Sequence, residues 1–232
     1  MLEQELLLER DLFFFLNGSD YTFVDFFFWL YSYKLTWIPF YFCFLTVFFF
    51  RKNWKEIVIT LLSLTLLIVL CDQIASGFFK PVFQRFRPTH HPDFMNQVDI
   101  VLGYRGGKYG FISSHASNAV GFATFTMLLF RNKLFSTMII FFAVINAYSR
   151  IYLGVHFISD VIVGSLVGIL CGYFVYKLYN YARYRLLKIN KEDLKISLYS
   201  KSQVYFLSGA YIATLISIFV FDNQLVSLFH NK

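Results

Sequence analysis

Apolar residues along this chain gather into long blocks broken by short polar interruptions. Six of those blocks approach the roughly 20 residues that a bilayer core demands of a helix. They run over positions 35–50, 54–79, 113–130, 134–148, 157–178 and 204–221, with the fourth able to extend through Tyr152. The pattern predicts an all-α polytopic membrane bundle of about six transmembrane helices. Ahead of it, positions 2–16 set Glu3, Glu5, Glu9, Arg10 and Asp11 among leucines and phenylalanines. That mixture predicts an amphipathic helix lying in the interface plane. Asn17-Gly18-Ser19-Asp20 reads as a turn, and the short aromatic run 21–33 as a second interfacial or partly inserted helix. The expected organisation is one domain, 1–232. It has N-terminal interfacial helices over 1–34, core spans over 35–178 with a polar loop at 80–112, a basic loop at 179–203 and a last span at 204–222.

Composition agrees: 57% of residues are hydrophobic and only 15% charged, too few to cover the surface of a soluble domain of this size. Cys43, Cys71 and Cys171 all fall inside apolar blocks, as buried fillers rather than a disulfide framework or a metal site. The acidic start, Met1-Leu2-Glu3-Gln4-Glu5, lacks the basic region and small-residue cleavage site of a secretory signal.

The net charge of +7 changes meaning once it is placed. Twelve of the 21 basic residues lie in or at the edges of the loops after the first, third and fifth blocks: Arg51, Lys52, Lys55, Arg131, Lys133, Lys177, Arg183, Arg185, Lys188, Lys191, Lys195 and Lys201. Cationic loops face the cytoplasm, which sends loop 80–112, the turn at 149–156 and both termini to the other side. Basicity here reads as orientation, not as nucleic-acid binding.

Candidate chemistry centres on the stretch from Ser149 to Asp160, which carries Arg150, His156 and Asp160 between two apolar blocks. Ionisable groups in such places are functional candidates by default. At a spacing of four, His156 and Asp160 share one helical face. A carboxylate holding one imidazole nitrogen leaves the other free to attack or to accept a proton. Two further polar segments emerge on the same side. One is Lys80-Pro81-Val82-Phe83-Gln84-Arg85-Phe86-Arg87-Pro88; the other is Ile112-Ser113-Ser114-His115. Lys80 and Arg87 have no acidic partner in their own segment. Together with Arg150 they repel one another unless an anion sits between them, and a phosphate suits such a cluster. Ser113 and Ser114 open a helix whose free N–H groups add an anion site. Asp72, two turns before Lys80, is expected to compensate the cations. Asn118 and Asn146 read as interhelical polar contacts. The glycine-rich run at 103–110 lacks the Lys-Ser/Thr pair of a nucleotide-binding loop and reads as a flexible surface loop shaping an entrance. His90-His91-Pro92-Asp93 offers no suitably spaced third ligand, so no metal is expected there.

The three segments resemble the signature motifs of the type 2 phosphatidic acid phosphatase superfamily. Those motifs are Lys, six residues, Arg-Pro; then Pro-Ser-Gly-His; then Ser-Arg, five residues, His, three residues, Asp. Lys80, Arg87, Pro88, Ser113, His115, Ser149, Arg150, His156 and Asp160 match in order and offset, while Ile112 and Ser114 replace the proline and glycine of the second motif. The resemblance covers the second to fifth spans. It implies a metal-free and cofactor-free helical membrane phosphatase. His156 would form a phosphohistidine, Asp160 would orient it, and His115 would protonate the departing oxygen and later activate water. Lys80, Arg87, Ser113, Ser114 and Arg150 would bind the phosphate, with Pro88, Ser149 and Asp72 in support.

The substrate class implied is a membrane lipid phosphate or diphosphate, with undecaprenyl diphosphate and lipid A foremost, and phosphatidate and phosphatidylglycerophosphate as alternatives. The expected place is a bacterial inner membrane with the site on the periplasmic face. Soluble acid phosphatases and vanadium haloperoxidases share the motifs, but six spans argue against both. A non-catalytic lipid-binding membrane protein is the reading from a different class, and a transporter lacks visible repeat symmetry. Protein partners and oligomeric state are not legible in the residues.

Overall fold

Blocks of this hydropathy satisfy their backbone only by closing every hydrogen bond within the segment, so they fold as helices. The computed structural model describes residues Leu2–His230, with side chains described from Glu9 onward; the Glu3 and Glu5 charges expected on the first helix lie outside those described side chains. Among the described residues nine α-helices run in order: α1 Leu2–Leu16, α2 Thr22–Ser32, α3 Ile38–Phe49, α4 Trp54–Phe83, α5 Ser114–Phe130, α6 Lys133–Tyr152, α7 Ile158–Leu186, α8 Lys201–Val220 and α9 Asp222–His230.

Four of these, α4, α6, α7 and α8, are long and apolar enough to cross a membrane, and a fifth span results if α2 and the segment Lys34–Phe49 count as one. The six expected spans differ from this count at two places. The run predicted at 35–50 is bent by 68° against α2. A tight turn at Lys34–Trp37 and Pro39 in the first turn of α3 break the backbone ladder there. The block at 113–130 becomes α5, whose 17 residues reach about 26 Å at 1.5 Å each. Instead of meeting lipid on all sides, α5 is the hub, packed by α4, α6 and α7.

Its contact with α7 is unusually close. A methyl group at Gly164 would sit 2.6 Å from the carbonyl oxygen of Ser113, and one at Gly168 would sit 2.5 Å from that of Ser117. Small residues let two backbones touch where apolar burial alone gives helices no reason to associate. The approach brings the start of α5 against the start of α7, and Ser113 N–H donates to the carbonyl of Asp160 at 3.0 Å.

The two ends of the bundle differ in character. At one, the basic loops meet. Lys52 donates to the carbonyl of Leu198, Arg131 to those of Lys195 and Leu194, and Arg183 Nε lies 2.9 Å from Glu56 Oε1. At the other, the N-terminal segment is fastened down. Asn17 bonds the carbonyls of Tyr152 (2.8 Å) and Asp99 (3.1 Å) and accepts from Asp99 N–H (2.8 Å). Phe13 of α1 is fully buried against Phe157, with ring centres 5.4 Å apart. The helix expected to lie on the interface thus packs on the bundle. The polar loop 80–112 folds back on itself, and its glycine-rich run 103–110, expected to be flexible, takes part: Arg87 N–H is bonded to Lys108 and Gly110 N–H to Arg85 at 3.1 and 2.9 Å.

Candidate active site

The connection between α6 and α7 carries His156, and the first turn of α7 carries Asp160; both are buried to within 1% exposure. His156 Nδ1 lies 3.3 Å from Asp160 Oδ2, which also accepts Phe157 N–H at 3.0 Å. Asp160 Oδ1 accepts from Arg85 at 2.8 Å. On the opposite edge of the ring, Arg87 Nη1 is 3.1 Å from Nε2. A guanidinium can only donate, so Nε2 presents its lone pair and Nδ1 carries the proton toward the carboxylate. Burial, followed by Arg87, Arg150 and Lys80, holds the imidazole well below the usual histidine range. The free nitrogen is therefore unprotonated and faces the cations.

Those cations come from three elements. Near the end of α4, Lys80 Nζ donates to Ser114 Oγ (2.7 Å) and Ser76 Oγ (2.9 Å). Ser76 in turn bonds Asp72 at 3.2 Å, so Asp72 reaches Lys80 through a hydroxyl rather than directly. Arg87 follows in the extended stretch after α4, held by the carbonyls of Val155 (3.0 Å) and Tyr109 (3.2 Å). Arg150, in the last turns of α6 and 1% exposed, donates to Tyr104 Oη at 3.1 Å and has no partner at Nε. Among the described residues, each of these three cations is held by neutral groups, with no carboxylate in hydrogen-bond contact. Arg150 is buried and Lys80 and Arg87 are half-buried; charge so placed without a counterion is costly, and the arrangement becomes favourable when an anion is bound.

The remaining expected residues fall around this cluster. Ser113 caps α5, accepting Ala116 N–H at 3.3 Å and leaving the free N–H groups of the first turn at the site. Ser114, where the family motif has glycine, supplies the hydroxyl that accepts from Lys80. His115 lies within electrostatic reach of Arg150, His156, Arg87 and Lys80. It opens onto a cavity of about 390 Å³ whose walls include Trp37, Leu64, Phe122 and Phe142. Asn118 and Asn146 line the same cavity. Pro88 is buried directly after Arg87 and starts a short turn. Ser149 bonds the carbonyl of Asn146 at 2.6 Å, within its own helix. Outside the cluster, His91 stacks on Phe94 with ring centres 4.0 Å apart.

Two participants were invisible to sequence reading. Arg85 lies two residues before Arg87 in the extended stretch, so both turn to the same side, and Arg85 reaches Asp160 while Arg87 reaches His156; its place in the first motif was the only hint. Glu9, 76 residues away in α1, accepts from Arg85, and nothing local marks it. Gly110 allows the closeness of this packing, since a methyl group there would stand 3.0 Å from Asp160 Oδ2.

An oriented imidazole with an unprotonated nitrogen, a second histidine facing a mostly apolar cavity and three cations without a carboxylate in hydrogen-bond contact can transfer a phosphoryl group. Comparison with known proteins agrees. A family model described as the PAP2 superfamily matches residues 60–184. The chain is 49% identical over 186 residues to the lipid A 4'-phosphatase of Porphyromonas gingivalis, covering 80% of this chain and 79% of that one. It is 34% identical over 170 residues to the lipid A 4'-phosphatase of Bacteroides thetaiotaomicron, covering 73% and 76%. The crystal structure of Aquifex aeolicus LpxE superposes with a TM-score of 0.58 at 28% identity, covering 73% of this chain and 95% of that one. The chain belongs to the PAP2 superfamily and is a multi-pass membrane phosphatase of that family.

Proposed function

We propose that the protein removes a phosphate monoester from lipid A through a phosphohistidine intermediate at the periplasmic face of a bacterial inner membrane. The observation that carries this reading is the pocket of Lys80, Arg87 and Arg150, three cations without carboxylates, beside the free nitrogen of His156. The phosphate monoester occupies that pocket. His156 Nε2 attacks phosphorus, the bond from phosphorus to the lipid oxygen breaks, and His115 gives that oxygen its proton. Water then attacks phosphorus, the P–N bond breaks, and His115 takes the proton from the water. Asp160 supports the charge that grows on the His156 ring. The 390 Å³ cavity beside His115 takes the apolar part of the leaving group.

Lipid A is favoured as substrate by two relatives named lipid A 4'-phosphatase at 49% and 34% identity. Phosphatidylglycerophosphate is the second reading, favoured by a 30% match over 138 residues to phosphatidylglycerophosphatase B of Bacillus subtilis, covering 56% of this chain and 60% of that one. The periplasmic orientation rests on the gathering of basic loops at the end of the bundle opposite His156.

The test is phosphate release by the full-length protein in detergent micelles with EDTA present. The substrates are lipid A, undecaprenyl diphosphate, phosphatidate and phosphatidylglycerophosphate. Lipid A should show the largest kcat/KM, with activity persisting in EDTA and inhibited by vanadate. Activity that vanishes with chelation and returns with a divalent ion would overturn the mechanism. A clear preference for phosphatidylglycerophosphate would instead select the second reading of substrate.

A further inference from the structure

We propose that Glu9 of the N-terminal helix is a positioning residue for the His156 nucleophile, acting through Arg85 and Ser159. The inference rests on the phosphohistidine reading above. Glu9 lies outside the matched family region, residues 60–184, and comes from a helix expected to lie at the interface. Its carboxylate is bound three times over. Oε1 accepts from Arg85 Nη2 at 2.5 Å and Ser159 Oγ at 2.7 Å, and Oε2 accepts Ser159 N–H at 2.9 Å.

These contacts control the geometry of the site in two ways. Ser159 is the second residue of α7, whose flanking Phe157 has no polar side chain to cap the helix. Glu9 therefore satisfies an N–H that the helix start leaves open and fixes the turn carrying Asp160. Arg85 is shared: Nη2 goes to Glu9 and Nη1 to Asp160 Oδ1 at 2.8 Å and to Ser159 Oγ at 2.6 Å. The guanidinium lies between the rings of Phe157, 4.7 Å away, and Phe111, 5.8 Å away, and its side chain is 3% exposed. A carboxylate at each end of a buried arginine leaves Asp160 with only part of that cation. The charge of Asp160 is then only partly offset by that cation and is left to steady His156.

Phe13 makes the placement of Glu9 specific. It is one turn further along the same face of α1 and fully buried against Phe157. By contrast Asp11, on the other side of the helix, is exposed and is bonded by its neighbour Arg10.

Several groups act on the charge of His156. Asp160 contributes from α7, Lys80 and the more distant Asp72 from α4, and Arg150, partnered by Tyr104, from α6. His115 contributes from α5, and Arg85 and Arg87 from the folded-back loop. His91 lies behind the Phe157 ring, 6.4 Å from it. In this mostly cationic surrounding Glu9 adds negative charge through one bridging arginine. Its neutralisation gives Asp160 the whole of Arg85, destabilises the imidazolium and moves the titration of His156 to still lower pH.

The experiment compares Glu9→Gln, Glu9→Asp and Asp11→Asn in full-length protein, with lipid A as substrate. Glu9→Gln should lower kcat by about ten-fold or more with KM within about two-fold, and should displace the acidic limb of kcat/KM to lower pH. Glu9→Asp, which keeps the charge, should restore the limb and much of kcat, and Asp11→Asn should behave as wild type. Histidine-labelled NMR in micelles reads the His156 titration without a substrate, so the proposal is decided even if the wild type hydrolyses none of the lipids and the functional reading fails. A folded Glu9→Gln variant with wild-type kcat, limb and titration would overturn the proposal. So would an equal loss in Glu9→Gln and Glu9→Asp that tracks the thermal midpoint with the His156 titration unmoved, because that is a merely structural role.

Discussion

Each end of the bundle holds a buried arginine that meets a buried carboxylate, yet they serve opposite purposes. At the basic end, Arg183 and Glu56 form a closed pair, 2.9 Å apart, with Tyr179 Oη donating to the same carboxylate. Charge and hydrogen bonds there are satisfied within the protein. At the other end Arg85 is likewise satisfied by Glu9 and Asp160, but among the described residues Lys80, Arg87 and Arg150 are held only by hydroxyls, carbonyls and a ring nitrogen. The comparison separates a structural clamp from a binding site by one criterion, whether the cations already have their counterions. Donors left without a counterion in a buried place are pre-organised for charge that arrives with the substrate, and this is where proteins obtain transition-state stabilisation.

Substitutions at the two ends should divide accordingly. His156→Ala removes the nitrogen proposed to attack and should reduce phosphate release by on the order of 10⁴-fold or more, with helical content by circular dichroism unchanged. Surviving turnover would show that another group attacks. Arg150→Met keeps the bulk and removes an uncompensated donor. It should reduce kcat/KM by roughly 10²–10³-fold and weaken vanadate inhibition in parallel. Smallest in activity should be Glu56→Gln, which leaves Arg183 buried without its counterion. It should destabilise the protein by about 3–5 kcal/mol, read as a lowered thermal midpoint, while kcat/KM of the folded fraction stays at the wild-type value. A catalytic defect in Glu56→Gln would erase the distinction between the ends.

Arg85 and Arg87 show why the motif alone could not assign the roles. Both are arginines of one short segment, and neither has a local acidic partner. Residues two apart on an extended backbone share one side, so the two arginines reach the same buried pair, Arg87 at His156 Nε2 and Arg85 at Asp160 Oδ1, and only the folded structure decides which takes which. Asp72 gives the converse lesson. Its spacing from Lys80 places both on one helical face, as expected, but Ser76 stands between them and carries the contact.

What the sequence determined by itself was the class of fold and the chemistry. Hydropathy over windows of about 20 residues is a local property, so the helical membrane bundle and the sorting of basic loops could be read without coordinates. The spacing of His156 and Asp160 is likewise local, although His156 lies just before α7 rather than on its face and the helix start brings the two together. Tertiary structure decided what depends on distant segments meeting. It bent the 35–50 run against α2, made the short α5 the hub, and let glycines bring α7 onto its backbone. It also carried Glu9 across 76 positions to Arg85. Those outcomes follow from packing and from the pairing of buried charges, and no periodicity within a single segment encodes which partner will arrive.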